Sequence, residues 1–222
     1  TRYRKAAAYV AMRTDFEAGG AALEFVEALG EYSAEVFRDG RWRGAGAREV
    51  RKVDFGPPLG VKTCYPTTLA EMRGLPEMLG VEELGAYVAG INWFVDGVVT
   101  PLAYLLGRVK SGLGRDRLAG LLVWGSKRFT PPGEAVAVVL EAEGERGGEE
   151  VLVRLRAGHD DVYGFTAMPV VALLLKILDG KARTPGLSMM GHLVDPVRLL
   201  EDLVRMGAEL VEEVQSSSGP GG

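Results

Sequence analysis

Cysteine and histidine are scarce in this chain, which limits the kinds of site it can build. Its 222 residues include one cysteine, Cys64, and two histidines, which excludes an internal disulfide framework and a cysteine-cluster metal site. We expect a protein of a reducing, cytoplasmic environment that binds no metal tightly. The net charge is −4, with acids and bases interspersed. This pattern predicts neither a nucleic-acid surface nor a polybasic membrane patch.

Long uninterrupted hydrophobic runs are also missing. The longest apolar stretch, Ile91 to Leu106, contains Asp96 and Pro101, whereas a membrane-spanning helix needs about 20 consecutive apolar residues. The N-terminal apolar run is broken by Arg13 and Asp15, so no signal peptide is recognised. We therefore predict a protein without a membrane partner.

Hydrophobic residues nevertheless make up 47% of the chain, enough for a sizeable core. No linker divides the chain, so we predict one body over residues 1–214. The remaining residues, 215–222, read QSSSGPGG and predict a flexible tail.

The clearest local pattern lies between residues 133 and 207. Two β-type runs, Ala135–Ala142 and Val151–Arg156, flank a Gly-Glu-Arg-Gly-Gly turn and predict a hairpin. A helix follows, with Thr166 as the candidate N-cap and Gly180 as the left-handed residue that ends it. This helix is apolar nearly all round, so we expect other elements to cover most of its sides.

A second helix is predicted after Asp195, because Asp is a favoured N-cap and Pro196 suits the first helical position. Elsewhere the spacing of apolar residues predicts a buried strand over Ala6–Met12 and helices over Gly20–Arg38 and Trp93–Leu106.

Known nucleotide-binding and nucleophile motifs are absent. The stretch Gly44-Ala-Gly46-Ala-Arg48 lacks the third glycine of the dinucleotide fingerprint and opens no predicted helix. No Gly-x-Ser-x-Gly sequence occurs. We interpret Cys64 as a core residue and the His159-Asp-Asp run as a turn, although a site role for His159 stays open.

A dicarboxylic or amino-acid substrate would require Arg or Lys to pair with a carboxylate and Tyr or Asn to orient it. The candidate substrate-binding residues are Lys62, Tyr65, Asn92, Arg128, Tyr163 and His192, with Arg73, Trp93 and Lys127 as further members of the set. Periodicity does not show that they converge, and the alternative that they are scattered over the surface stays open. No catalytic residue is assigned.

The order of several motifs resembles the saccharopine dehydrogenase family. Tyr163–Gly180, YGFTAMPVVALLLKILDG, is followed by Thr184–Pro196, TPGLSMMGHLVDP, and by a leucine-rich helix that ends at Gly207. Two earlier pieces, FRDGRW at Phe37–Trp42 and VDFGPPLG at Val53–Gly60, are also similar to that family.

This resemblance covers most of residues 37–214. It implies an α+β fold, a mixed β-sheet covered by helices, that serves as the substrate and dimerisation domain of an NAD(P)-dependent oxidoreductase. Family members carry a Rossmann domain ahead of this region, which we do not recognise in this sequence. The resemblance therefore implies a homodimer that binds a small amino-acid-like substrate, is inactive alone, and leaves NAD(P) to the nucleotide-binding domain.

Two other functions remain open. One is a stand-alone dimeric module that binds a small molecule or a partner protein without catalysis. The other is a self-sufficient enzyme whose site the motifs do not reveal.

Overall fold

A computed structural model of the protein describes residues 1–14, 16, 19–30, 32–180, 186 and 188–216. Within these residues the fold is a mixed β-sheet with helices, which confirms the predicted α+β class at that level. The strands are β1 (Arg2–Arg13), β2 (Glu35–Arg38), β3 (Arg41–Gly44), β4 (Arg51–Asp54), β5 (Val61–Thr67), β6 (Glu83–Ala89), β7 (Ala135–Arg146), β8 (Glu149–His159) and β9 (Glu209–Ser216). The α-helices are α1 (Gly20–Gly30), α2 (Leu75–Leu79), α3 (Thr100–Val109), α4 (Arg115–Phe129), α5 (Val162–Leu178), α6 (Met190–Leu193) and α7 (Pro196–Arg205).

The sheet has the strand order β3-β2-β6-β1-β7-β8-β9 and forks at β6. β1 and β6 are parallel, whereas β1 and β7 are antiparallel. The other edge of β6 is shared: its first half pairs with β2 and its second half with β5, which in turn pairs with β4. The β4–β5 hairpin can therefore leave the plane of the sheet and cover one of its faces.

That covered face, which we call the first face, carries Tyr9 and Val139. Both side chains pack against Phe55 and Leu59, which follow β4 in the loop at residues 55–60, and all four are buried. This loop closes the main core over the centre of the sheet.

The helices form two further packed groups. α1, α3 and α4 share a core of their own, in which Val26, Val99 and Leu122 are buried. α5 and α7 pack on the second face of the sheet, where Phe165 and Leu203 contact the end of the β7–β8 hairpin. None of the helices in the described ranges is long and apolar enough to cross a membrane.

Local turn signals predict two elements correctly. The β7–β8 hairpin is confirmed, with both strands longer than expected and a tight turn at Gly147-Gly148, where both residues have positive φ. The N-cap at Asp195 is confirmed as well, because its carboxylate accepts a 2.9 Å hydrogen bond from the Arg198 amide. β9 continues to Ser216, into the segment predicted as a tail, and residues 217–222 lie outside the described residues.

Two predicted helix boundaries are wrong. The helix expected over Gly20–Arg38 ends at Gly30, because residues 35–38 pair with β3 and β6 as strand β2. α5 begins at Val162 rather than at Thr166, because Asp161 caps it by accepting a 2.8 Å hydrogen bond from the Gly164 amide.

The described residues of one chain do not provide the expected cover on most sides of α5. Only one side of the helix is buried against the sheet and α7. Apolar residues on the other sides are exposed: Val170, Leu174 and Leu175 are each more than half exposed, and Leu178 is 73% exposed. Within one chain nothing in the described residues covers this surface, which we call the outer face of α5.

Candidate functional site

Two of the predicted substrate-binding residues, Lys62 and Tyr65 on β5, lie near Asp96, which the sequence did not single out. Asp96 belongs to a π-helical turn, Val95–Val99, directly before α3. Such turns are rare and often occur at functional sites. One carboxylate oxygen, Oδ1, accepts a 2.9 Å hydrogen bond from the Ile91 amide. The other lies over Gly90, where the Cβ of any larger residue would overlap it.

Burial dominates the electrostatics of this group. It raises the pKa of Asp96, while the Ile91 amide and the charge of Lys62 act in the opposite direction without cancelling it. Burial and then the Asp96 charge raise the pKa of Tyr65, which stays a neutral phenol. The Asp96 carboxylate can hold a proton, but its Oδ1 already accepts a hydrogen bond from the Ile91 amide.

Asn92 has a structural role in the fold. Its Oδ1 accepts hydrogen bonds from the amides of Phe94 (3.1 Å) and Val95 (2.9 Å), as an N-cap does. Its Nδ2 donates to Gly125 O (3.2 Å) and to Thr130 Oγ1 (2.9 Å) at the end of α4. All four polar positions of the amide are used, so Asn92 ties the start of the π-helical turn before α3 to the end of α4.

The other predicted residues have different surroundings. The Arg128 guanidinium lies 5.6 Å from the centroid of the Phe129 ring. Tyr163, in the first turn of α5, is 69% exposed. His192 belongs to α6, and its side chain lies outside the described part of the chain. His159 accepts a 2.9 Å hydrogen bond at Nδ1 from the Asp161 amide, in agreement with the predicted turn.

An open cavity of about 270 Å³ lies on the first face of the sheet, near the amino ends of β1 and β6. Its floor consists of Ala7 and Gly85, which are partners in the parallel register. The next pair, Tyr9 and Tyr87, forms a wall of stacked rings whose centroids are 5.0 Å apart. The preceding row lies at the mouth and consists of Glu83, Lys5 and Glu143.

Small floor residues are required by the position of the tyrosine wall. A Cβ at Gly85 would lie 2.8 Å from Cε2 of Tyr87 and 2.9 Å from its hydroxyl oxygen. The Tyr87 ring therefore leans along its own strand over Gly85, and a larger residue at position 85 would push it away.

Ion pairs surround this cavity. Arg38 lies between Glu49 (3.0 Å) and Glu83 (3.2 Å), and Arg51 lies 3.2 Å from Glu49. At the mouth, Lys5 lies 3.2 Å from Glu143. The cavity thus presents both signs of charge beside two buried aromatic rings.

Comparison with protein-family models and with curated protein sequences gives no match. The site is therefore interpreted from its own geometry. Among the described residues there is no group of three or more His, Cys, Asp and Glu side chains placed to hold a metal ion.

Glu141 contributes a carboxylate from β7, directly beside Ala7 in the register. Its side chain is 26% exposed, and its nearest cation among the described residues is Arg154, whose Nε is 3.8 Å away. Burial and then the charge of Glu141 raise the pKa of Tyr9, so this phenol keeps its proton. The same two causes raise the pKa of Cys64 to about 11, and this buried thiol stays unreactive.

The sequence did contain a signal for this cavity. In both parallel strands a charged residue, a small residue and a tyrosine occur at alternate positions: Lys5, Ala7 and Tyr9 in β1, and Glu83, Gly85 and Tyr87 in β6. Alternate residues of a strand point to the same face. The shared pattern predicts one polar row, one gap and one aromatic row when the strands pair in this register.

Proposed function

We propose that this chain is the substrate-binding and dimerisation domain of a cytoplasmic NAD(P)-dependent oxidoreductase that acts on an amino-acid-like substrate. The oxidoreductase assignment is supported by the order of the motifs that resemble the saccharopine dehydrogenase family. Under this assignment, NAD(P) binds to a nucleotide-binding domain rather than to this chain.

The observation that supports substrate binding is the cavity on the first face. An amino acid carries a positive and a negative group a few ångströms apart. The cavity provides carboxylates, guanidinium groups and two tyrosine hydroxyls around a space of about 270 Å³, just below the range of about 300–1,000 Å³ typical of small-molecule sites. Charge-assisted hydrogen bonds to both ligand groups would fix its orientation.

Substrate binding is tested by backbone amide NMR. We expect a panel of amino acids, 2-oxo acids and 2-hydroxy acids to contain compounds that saturably shift the amides of Lys5–Tyr9 and Glu83–Tyr87. The amides of α4, which do not line the cavity, serve as the internal control and should not move. A panel in which no compound shifts the cavity amides would contradict the proposed substrate binding.

The outer face of α5 supports the proposed dimerisation. The second face of the sheet, on which α5 packs, also exposes Leu140 and Val214. Several exposed apolar residues on one helix face are typical of an interface. A two-fold axis would place the same surface of a second copy against it.

We expect sedimentation velocity to show a dimer at micromolar concentrations. The double substitution Leu174→Glu with Leu178→Glu should yield monomers, because it places four like charges in the interface of the dimer. Met78→Glu is the matched control: Met78 is 69% exposed on α2, and its substitution should leave the dimer intact. A wild-type chain that sediments as a monomer at 100 µM would contradict the dimer.

A further inference from the structure

From the distribution of partners around the cavity we infer that it recognises its ligand by a primary ammonium group, with Glu141 as the counter-ion. The inference rests on the proposed substrate binding and narrows it to one class of ligand. Amines, with or without a carboxylate, should bind, whereas acids that lack the amine should not.

Four carboxylates around the cavity differ in the distance to their nearest cation. Glu49, Glu83 and Glu143 each have a cationic nitrogen within 3.0–3.2 Å. Glu141 has its nearest cationic nitrogen at 3.8 Å, beyond the length of a charge-assisted hydrogen bond. Glu141 therefore has the weakest counter-ion of the four and gains most from a cation that enters the cavity.

Tyr9 and Tyr87 form the aromatic wall beside Glu141. The rings of Tyr9 and Tyr87 are 94% buried and stacked. The Tyr9 hydroxyl is hydrogen-bonded to Glu141, so a ligand cation that pairs with Glu141 lies beside this hydroxyl. The neutral Tyr9 hydroxyl can also accept one of the three ammonium N–H bonds.

The cavity also has room for the rest of an amino acid, including its carboxylate. Because Ala7 and Gly85 carry little or no side chain, the area in front of Glu141 and Tyr9 is open. Arg51 lies near both tyrosine hydroxyls, since its charge lowers the pKa of each against the effect of burial. A ligand carboxylate would be directed towards Arg51, so a free amino acid fits with its ammonium group at Glu141.

An acid without an amine should bind weakly in this cavity, because its charge is unfavourable there. Its only charge is negative, and it would leave Glu141 without a new partner while adding an anion nearby. The cavity should therefore discriminate an amino acid from the 2-oxo and 2-hydroxy acids of the same shape.

The inference is tested with three compounds of one carbon skeleton: L-leucine, L-leucinamide and 4-methyl-2-oxopentanoate. Dissociation constants are measured by the same amide NMR titration. We expect both amines to bind and the oxo acid to bind at least about tenfold more weakly. Glu141→Gln should raise the dissociation constants of both amines at least about tenfold, because a hydrogen bond to a charged group is replaced by one to a neutral amide.

Glu150→Gln is the control, because Glu150 is a strand carboxylate that pairs with Arg4 outside the cavity. It should leave the three affinities unchanged. Equal binding of leucine and its oxo acid, or wild-type affinities in Glu141→Gln, would overturn the ammonium inference and leave the proposed substrate binding standing. If no compound of this set or of the wider panel shifts the cavity amides, both fail. The amide spectrum of Glu141→Gln itself reports whether that variant is folded.

Discussion

Gly107→Ala is expected to lower the free energy of unfolding by about 3 kcal/mol or more. A Cβ at position 107 would lie 2.5 Å from Gly30 Cα, 2.6 Å from its carbonyl oxygen and 2.8 Å from its carbonyl carbon. These are backbone atoms of α1, which cannot rotate away as a flexible side chain could. The added methyl group must therefore push α3 away from α1 and open the core that they share with α4.

The matched control for this substitution is Gly120→Ala in the middle of α4. A Cβ at position 120 has no atom within 4 Å, so alanine should stabilise the helix by up to about 1 kcal/mol. Chemical denaturation followed by circular dichroism measures both variants. Similar midpoints for Gly107→Ala and the wild type would mean that α1 and α3 do not approach as closely as described.

Phe55→Ala is expected to cost about 3–5 kcal/mol, the usual range for a fully buried phenylalanine. Phe55 has no exposed surface and connects the loop after β4 to Tyr9 and Val139 on the first face. Its removal leaves a cavity between the β4–β5 hairpin and the centre of the sheet, and the rigid strands on both sides cannot close it.

Two comparisons isolate the burial of Phe55. Phe55→Leu fills most of the space and should cost clearly less than the alanine variant. Tyr163→Ala removes an aromatic ring that is 69% exposed and should change the stability by no more than about 0.5 kcal/mol. Denaturant midpoints that rank Tyr163→Ala beside Phe55→Ala would contradict the assignment of Phe55 to the core.

The elements predicted correctly are those whose formation depends on a few neighbouring residues. Gly147-Gly148 supplies the positive φ angles of a tight hairpin turn, and Asp195 before Pro196 supplies a helix start. The start of α5 was predicted at the wrong one of two candidate N-caps. Thr166 resembles an N-cap, but its hydroxyl donates to Val162 O within the helix, whereas Asp161 accepts the free amide.

The surroundings of α5 could not be predicted, for a different reason. A helix that is apolar all round must be covered, but the pattern does not tell whether the cover comes from the same chain or from another one. Leu178 and its exposed neighbours therefore appeared in the sequence as core residues.

The cavity depends on long-range pairing and was missed. Its rows come from strands that begin at Arg2, Glu83 and Ala135, and no local rule predicts which of them are neighbours. The error at Asn92 is the opposite one: a residue with a local structural role was assigned to a substrate site. Its position between a strand and a helix is typical of a cap, and its hydrogen bonds agree with that simpler explanation.

The place of β1 in the sheet also has a consequence for the order of folding. β1 lies between β6 and β7, and these partners come from residues 83–89 and 135–146. One edge of β1 stays unpaired until β6 has been synthesised, and the other until β7 has been synthesised, beyond the middle of the chain. Contacts between such distant segments must close large loops, which slows folding compared with helical proteins of similar size. Until both partners are present, the apolar strand Ala6–Met12 has at least one unpaired edge, and unpaired apolar strands favour aggregation.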